Sequence, residues 1–346
     1  MGYRTIVVGT DGSETAMRAE AWAAKLAKRF RAQLVIVSGF DRERIQPDQA
    51  LGVVEAARER VKVHRIDAEV ECHGGEPADV VLTTADRRDA DLVVVGNRGM
   101  GKARRFKLGS VPERVATYAP CDVLITDTTS GRASEGRNYG KILMGTDGSP
   151  TATEAARKGF ELALMVDADV TLVYVGDELL GSIALEKTAD AAPDGVNVER
   201  RVVPTGDPAE IINDIAEEES HDLVVVGNKG MAGSRRFLLG SVPNKVAHGA
   251  PCDVLIARTT GLGIEDIAPG HGGVVEVEGK RLAIYRDEAG AVHALSPKCA
   301  HMGCTVDWND GDQTWDCPCH GSRYQRDGEV IRGPATHGLA PADVPV

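Results

Sequence analysis

An internal repeat restricts this chain more than any other feature, because a repeat sets the domain plan before any single element is read. Residues 91–125 read DLVVVGNRGMGKARRFKLGSVPERVATYAPCDVLI, and residues 222–256 read DLVVVGNKGMAGSRRFLLGSVPNKVAHGAPCDVLI. Aligned without a gap, 26 of the 35 positions are identical. The beginnings match as well, TIVVGTDGS at 5–13 and KILMGTDGS at 141–149. Two copies of one unit therefore precede a C-terminal segment of different character.

Within the first copy, short Val- and Ile-rich stretches (TIVVGT, AQLVIVSGF, AEVECH, DLVVVGN and DVLITDT) alternate with helix-like ones. Nearly continuous apolar strands are the pattern of a sheet buried on both faces. ETAMRAEAWAAKLAKRF follows Asp11–Ser13, whose side chains offer N-caps, and residues near 49–63, 77–88 and 111–119 read as further helices. Alternation of strand and helix predicts an α/β fold with a five-stranded parallel sheet in each copy. The polar, glycine-rich segment 130–140 reads as a linker, so the copies are expected at 1–130 and 138–260, with a third domain at 268–346.

Composition narrows the function classes. No run of 18 apolar residues exists, which excludes a helical membrane span, and the N-terminus lacks the zones of a signal peptide. A cytoplasmic location is the expectation. The net charge is −12, with residues 1–136 summing to +1, 137–260 to −7 and 261–346 to −6. Such a chain is a poor candidate for nucleic-acid binding. Its one compact basic cluster is Lys102, Arg104, Arg105 and Lys107.

Ligands of open α/β sheets sit at the carboxyl ends of the strands. There the chain places Asp11 and Asp147, each followed by Gly-Ser, after the opening strand of each copy. The fourth strand runs into Gly96-x-x-Gly99-x9-Gly109-Ser110, repeated as Gly227-x-x-Gly230-x9-Gly240-Ser241. Glycines allow close backbone approach, and Gly-Ser before a helix turns free N–H groups toward phosphate. Glycines needed for turns alone are the competing reading. Neither GKS/T nor GxGxxG is present.

On these motifs residues 1–260 resemble the universal stress protein family in tandem form. The resemblance implies a five-stranded parallel sheet, homodimerisation and, in one branch, bound ATP at one or two sites. Asp11 would meet the adenosine end, and Gly96, Gly99, Gly109 and Ser110 would wrap phosphates and ribose. Asp147, Gly227, Gly230, Gly240 and Ser241 would do the same in the second copy, with Val37 and Val175 as adenine neighbours. Pro112 and Pro243 depart from the family by replacing a hydroxyl residue. Lys102 and Lys107 become Gly233 and Leu238, so the second site is expected to be weaker if those lysines matter.

The cysteines are distributed unevenly. Cys72, Cys121 and Cys252 stand singly in apolar stretches, as small buried hydrophobes do, whereas four fall between Cys299 and Cys319. A cluster of that kind reads as metal binding before it reads as a disulfide scaffold. The spacing is C-x-H (Cys299, His301) and, fifteen residues on, C-x2-H (Cys317, His320). Zinc on two cysteines and two histidines is one reading, although C-x-H is uncommon among zinc spacings. A [2Fe–2S] centre with two thiolates on one iron and two imidazoles on the other is the reading that the spacing favours. The preceding VVEVEGKRLAIYRDEAGAVHALS alternates apolar and polar residues, as antiparallel strands do. His64, His73, His221, His248, His271, His293 and His337 have no partner spacing, and Trp308 and Trp315 read as core.

Residues 272–346 resemble Rieske domains. The resemblance implies a disulfide between Cys304 and Cys319, and hydroxyl donors at Ser322 and Tyr324 directed at a bridging sulfide and a cysteine sulfur. Such donors raise the potential, so it is expected in the upper part of the range of about −150 to +300 mV. Gly333-Pro334-Ala335 would cover the cluster, and Met302 would form an apolar tip for a redox partner protein of unstated identity. No 2-His-1-carboxylate iron site and no flavin or nicotinamide fingerprint is visible, and no further domain follows the cluster before Val346. The chain is therefore not expected to be a stand-alone enzyme. Two functions remain: a stress-response regulator that binds ATP and senses redox state, or an electron carrier whose repeats serve as a docking or dimerisation scaffold.

Overall fold

The structure is a computed structural model that describes residues 2–40, 47–97, 108–127, 139–228, 239–258, 264, 267–277, 280–309 and 311–344. Gly99, Gly230, the basic cluster, its counterparts Gly233 and Leu238, and most of the linker lie outside the described residues. The chain divides into two compact units, one built on Met1–Arg258 apart from short segments, the other on Thr259–Val346.

In the first unit, copy one runs β1 (Thr5–Gly9), α1 (Glu14–Phe30), β2 (Gln33–Phe40), α2 (Pro47–Val61), β3 (Ala68–Gly74), α3 (Pro77–Arg87), β4 (Leu92–Gly96), α4 (Ser110–Tyr118) and β5 (Asp122–Thr126). Copy two runs β6 (Lys141–Gly145), α5 (Pro150–Val166), β7 (Asp169–Val175), α6 (Glu178–Ala189), β8 (Val198–Val203), α7 (Pro208–Glu218), β9 (Leu223–Gly227), α8 (Ser241–Gly249) and β10 (Asp253–Ala257). Each copy forms the expected five-stranded parallel sheet. The two sheets are continuous, in the order β3-β2-β1-β4-β5-β10-β9-β6-β7-β8, because β5 and β10 pair antiparallel.

The residues explain these elements directly. Ser13 caps α1 by accepting from the Ala16 N–H, Ser149 caps α5 by accepting from Ala152, and Pro150 adds a preset φ at the start of α5. Every residue of β4, β5, β9 and β10 is buried. Ile6 and Val8 enter one apolar layer and Val7 the other, as the two-residue period of a strand requires. Both layers draw residues from both copies. In the first, Trp22 of copy one stacks on Tyr139 of copy two at 4.2 Å and 8°. Burial of large aliphatic and aromatic side chains contributes roughly 1.5–3 kcal/mol each, so the shared layers make the copies one folding unit.

The second unit is all antiparallel. β11 (Gly272–Val277), β12 (Lys280–Arg286) and β13 (Val292–Leu295) form one meander, and β14 (Asp307–Asn309), β15 (Thr314–Asp316), β16 (Arg323–Tyr324) and β17 (Val330–Arg332) form a second sheet. Trp308 pairs with Trp315 across β14 and β15, and their rings meet edge-on at 5.0 Å. Both are buried, as the sequence predicts. Among the described residues, no helix is long and apolar enough to cross a membrane.

Candidate metal centre and nucleotide loops

Two loops carry the cysteine and histidine residues, and they are closed by the same pair of hydrogen bonds. In the first, the Cys299 N–H donates to the Cys304 carbonyl (2.8 Å) and the Gly303 N–H to the Cys299 carbonyl (2.8 Å). In the second, the Cys317 N–H donates to the Ser322 carbonyl (2.7 Å) and the Gly321 N–H to the Cys317 carbonyl (3.1 Å). Each loop thus presents its leading cysteine inward from a fixed backbone turn. Cys299 and Cys317 are buried, His301 is half-buried and His320 is exposed. The two imidazoles meet edge-on, with ring centroids 4.8 Å apart. His301 Nδ1 is buried and has no hydrogen-bond partner. A buried polar atom left without a partner costs roughly 1–3 kcal/mol, and a bound cation would remove that cost.

The sulfurs form a crowded group. Those of Cys304, Cys317 and Cys319 lie within 4.8 Å of one another. Hydrogen bonds from neighbouring thiols hold Cys304 and Cys317 below the ordinary thiol value. The same bonds, with burial added, push Cys299 and Cys319 above it. Cys304 and Cys319, the pair expected to form the disulfide, stand side by side in this group, their sulfurs within 4.8 Å of each other. Three thiols alone would suit zinc, whereas two thiols joined by two facing imidazoles are the donor set of a [2Fe–2S] centre with mixed ligands. The residues present therefore fit the cluster.

Two hydroxyls stand beside these donors. Tyr324, fully buried on β16, accepts the Ala300 N–H at 3.1 Å, which leaves its own proton for Cys299 Sγ at 2.9 Å. Burial, and then the bond to Cys299, push this phenol above its ordinary pKa. Ser322 is also fully buried; its Oγ accepts the Ala335 N–H at 3.1 Å and its proton is left to donate. That bond docks the loop Gly333–Ala335. Gly333 has φ +109°, and a Cβ there would stand 2.4 Å from Ser322 Cα, so only glycine permits the approach. Met302, beside His301, is 51% exposed.

The two glycine-rich sites are framed alike. Asp11 and Asp147 each accept from the N–H two residues on, Ser13 and Ser149. Gly109 and Gly240 are the N-caps of α4 and α8, and their N–H groups donate to the Asn97 and Asn228 carbonyls at 3.0 and 2.9 Å. Ser110 and Ser241 begin those helices, while Pro112 and Pro243 fall in the first turn, where a proline is tolerated. Gly96 and Gly227 end β4 and β9. A Cβ on Gly96 would meet the Thr15 backbone at 3.0 Å, so part of the demand for glycine there comes from helix packing.

Val37 and Val175 are not equivalent: the Thr10 N–H donates to the Val37 carbonyl, and the Thr146 N–H to that of Val173. β7 continues two residues beyond the matching position, so its last valine is out of register. The side chains of Val37 and Val173 both enter the core.

The copies also differ. Thr10 donates to buried Glu20 (2.6 Å), which Arg60 of α2 grips through two bonds of 2.8 and 2.9 Å. In copy two a neutral contact between Thr146 and Thr188 takes that place. There α6 presses on the loop: a Cβ on Gly148 would lie 2.8 Å from Ala184 Cβ, against 3.4 Å from Val53 for Gly12. Ser149 is 4% exposed, while Ser13 is half-buried.

Sequence reasoning missed the polar seam between the copies. Asp122 accepts from the Tyr3 hydroxyl (3.0 Å), the Arg258 N–H (2.8 Å) and Lys158 (2.7 Å). Asp253 accepts from the Tyr139 hydroxyl (2.9 Å) and the Asp127 N–H (2.7 Å). Burial pushes the Asp253 carboxyl up to about 7. The available signal was an aspartate heading an otherwise apolar strand, DVLI, in both copies.

Comparison with known proteins agrees with this architecture. The Universal stress protein family matches residues 2–127, 138–186 and 177–258, and the Rieske [2Fe-2S] domain matches residues 262–343. A universal stress protein of Mycolicibacterium smegmatis is 29% identical over 291 residues, covering 73% of this chain and 96% of that protein. A Bacillus subtilis protein named as a Rieske 2Fe-2S iron-sulfur protein, YhfW, is 50% identical over 80 residues, which are 23% of this chain and only 16% of that one. The crystal structure of a universal stress protein from Archaeoglobus fulgidus superposes with a TM-score of 0.60 at 18% identity, over 73% of this chain and 98% of that one, which shows the shared fold. The chain belongs to the universal stress protein family, in tandem form, and carries a C-terminal Rieske [2Fe-2S] domain.

Proposed function

We propose that this protein is a stress-response regulator that binds an adenine nucleotide in its tandem copies and senses redox state through a cluster held by Cys299, His301, Cys317 and His320. The copies span 1–130 and 138–260, and the cluster domain spans 268–346. The observation that supports the reading is the pair of identically closed loops, each with a buried leading cysteine, whose imidazoles meet edge-on and whose His301 Nδ1 is buried and unpartnered. The bound cluster supplies one-electron chemistry. The chain's own part is to keep sulfur dry and to donate hydrogen bonds from Tyr324 and Ser322, which favour the more negative, reduced state.

Iron and acid-labile sulfide analysis of protein reconstituted without oxygen, with EPR of the reduced form, tests the centre. Two of each per chain is expected, and zinc without sulfide refutes it. Tyr324→Phe lowers the potential; an unchanged voltammogram refutes the hydrogen bond. The nucleotide part rests on the repeated glycine frame, and the less crowded loop of copy one favours Asp11, Gly96, Gly109 and Ser110 over their counterparts. Equilibrium dialysis with ATP tests it, and a stoichiometry near zero refutes it.

A second reading, an electron carrier with the repeats as scaffold, is favoured by the exposed Met302 and His320, which a redox partner can reach. ATP affinity on oxidised and reduced protein separates the two. Linkage requires that a nucleotide which shifts the potential bind the two oxidation states unequally. Equal affinities leave the carrier.

A further inference from the structure

We propose that the first nucleotide site is positioned from the second copy, through Asp253 and Arg258 at the two ends of β10, and that Asp127, the counterpart of Arg258, does not return the helix cap. The proposal rests on the nucleotide reading above and adds a direction to it.

The seam begins as a symmetric structure. β5 and β10 pair antiparallel with Leu255 opposite Leu124. The aspartate that starts each strand accepts the backbone N–H just beyond the end of the other: Asp127 to Asp253 at 2.7 Å, and Arg258 to Asp122 at 2.8 Å. Asp127 and Arg258 are thus counterparts in position but opposite in charge, and there the symmetry ends.

Both residues act on the frame of copy one. Asp127, held by Asp253, accepts from Asn97 Nδ2 at 2.7 Å, and the Asn97 carbonyl anchors the N–H of Gly109, the N-cap of α4. Buried Arg258 donates from one guanidinium nitrogen to the Ala116 and Thr117 carbonyls at 2.6 and 2.9 Å, in the last turn of α4. A cation there satisfies terminal carbonyls and favours the helix dipole. α4, nine residues long, spans only about 14 Å. Holding its C-terminal end and the Asn97–Gly109 bond therefore fixes Gly109 and Ser110, where phosphate is expected. The reverse cap fails on chemistry: Asp127 has nothing to match the N–H donors of a guanidinium, so it cannot take Arg258's role on the carbonyls that end α8.

The test uses full-length protein and ATP with magnesium. Asp147→Ala leaves the first site to report alone, and Asp11→Ala the second. Arg258→Gln is expected to weaken the first site about tenfold and to leave the second unchanged, while Arg258→Lys recovers most of the loss. Equal loss at both sites, or none at the first, overturns the proposal. Should Arg258→Gln fail to fold, the reciprocal measurement decides with the arginine intact. ATP bound to the Asp147→Ala protein must slow amide exchange in the peptide covering 253–258; unchanged exchange there refutes the tie. Absence of ATP binding by the unsubstituted protein is a separate result, and it refutes the nucleotide reading itself.

Discussion

The two units are held together by different kinds of side chain. Both layers of the ten-stranded unit are overwhelmingly aliphatic, from Ile6 and Leu34 to Leu172 and Ile256, and the sheet closes on its own burial. In the main core of the second unit, three of the twelve buried residues are cysteines, packed with Trp308, Trp315 and Tyr324. Two of those three thiols, Cys299 and Cys317, are also its candidate ligands. Where core and ligand set coincide, metal binding and folding share one free energy. The sheet unit has no such dependence, so its stability and its site chemistry can vary separately.

Cys317→Ser is the most severe test of that contrast. Cys317 is 3% exposed and is both a core residue and a proposed ligand. Loss of the cluster removes more than the roughly 3–5 kcal/mol that the core of a domain this small supplies alone. Calorimetry should show the transition of the second unit abolished and that of the sheet unit unmoved. A second unit that still unfolds cooperatively without iron breaks the contrast. Chelation of iron from the unsubstituted protein should reproduce the variant.

The next largest effect belongs to the sheet unit, where the carboxyl of Asp253 is buried in the seam. Asp122 has the Lys158 ammonium beside it, but the matching position in copy one is Trp22, stacked on Tyr139, so Asp253 has no such partner. Burial raises its pKa from 3.8 to about 7, against the opposing pull of the Asp127 N–H, Tyr139 and Arg18. Between those values the folded protein keeps a proton that the unfolded chain releases. Stability therefore falls as pH rises through about 4 to 7, by at most ~4 kcal/mol, and is flat on either side. Urea titrations of the unsubstituted protein and Asp253→Asn should diverge across that window. Parallel curves would show the carboxyl to be ionised throughout.

Gly333→Ala probes the second unit without touching a proposed ligand. With φ +109° and Ser322 Cα 2.4 Å from the added carbon, the covering loop must lift. Strain of that kind costs on the order of 2 kcal/mol, or about 10 °C in a domain of this size. The Ala335–Ser322 bond opens with it, so the potential should shift as well. A shift in melting without a shift in potential would separate the loop's structural role from its electronic one.

What the sequence showed, and what it hid, follows the same division. α1 runs Glu14–Phe30 as its cap and apolar spacing predict, and four of the five strands in copy one both begin and end within a residue of the stretches read from the sequence. Local period carries that information. The union of the copies was not legible, because β5 and β10 carry the same DVLI string and neither names its neighbour. That Val173 and not Val175 stands in the register of Val37 was hidden for a related reason: a strand's last valine does not give its register. In the second unit, ligand spacing was legible because Cys and His are rare enough to stand out.

The smallest effect sharpens the comparison between the copies. Ser13 and Ser149 cap α1 and α5 with bonds of 3.3 and 3.2 Å, and each also meets a threonine hydroxyl two residues on. Removing either hydroxyl costs about 1 kcal/mol, or roughly 2–4 °C in a unit of this size. Ser149 is the more buried, which would favour a larger loss, but Pro150 already fixes the first helical φ in copy two and offsets it. Ser13→Ala and Ser149→Ala should therefore destabilise the sheet unit equally. Equality would confine the asymmetry of the copies to the seam and to the ion pair of Glu20 with Arg60. A clear excess for Ser13→Ala would mean that copy one relies on its cap to hold the Asp11 loop, and that the copies diverge from their first helix onward.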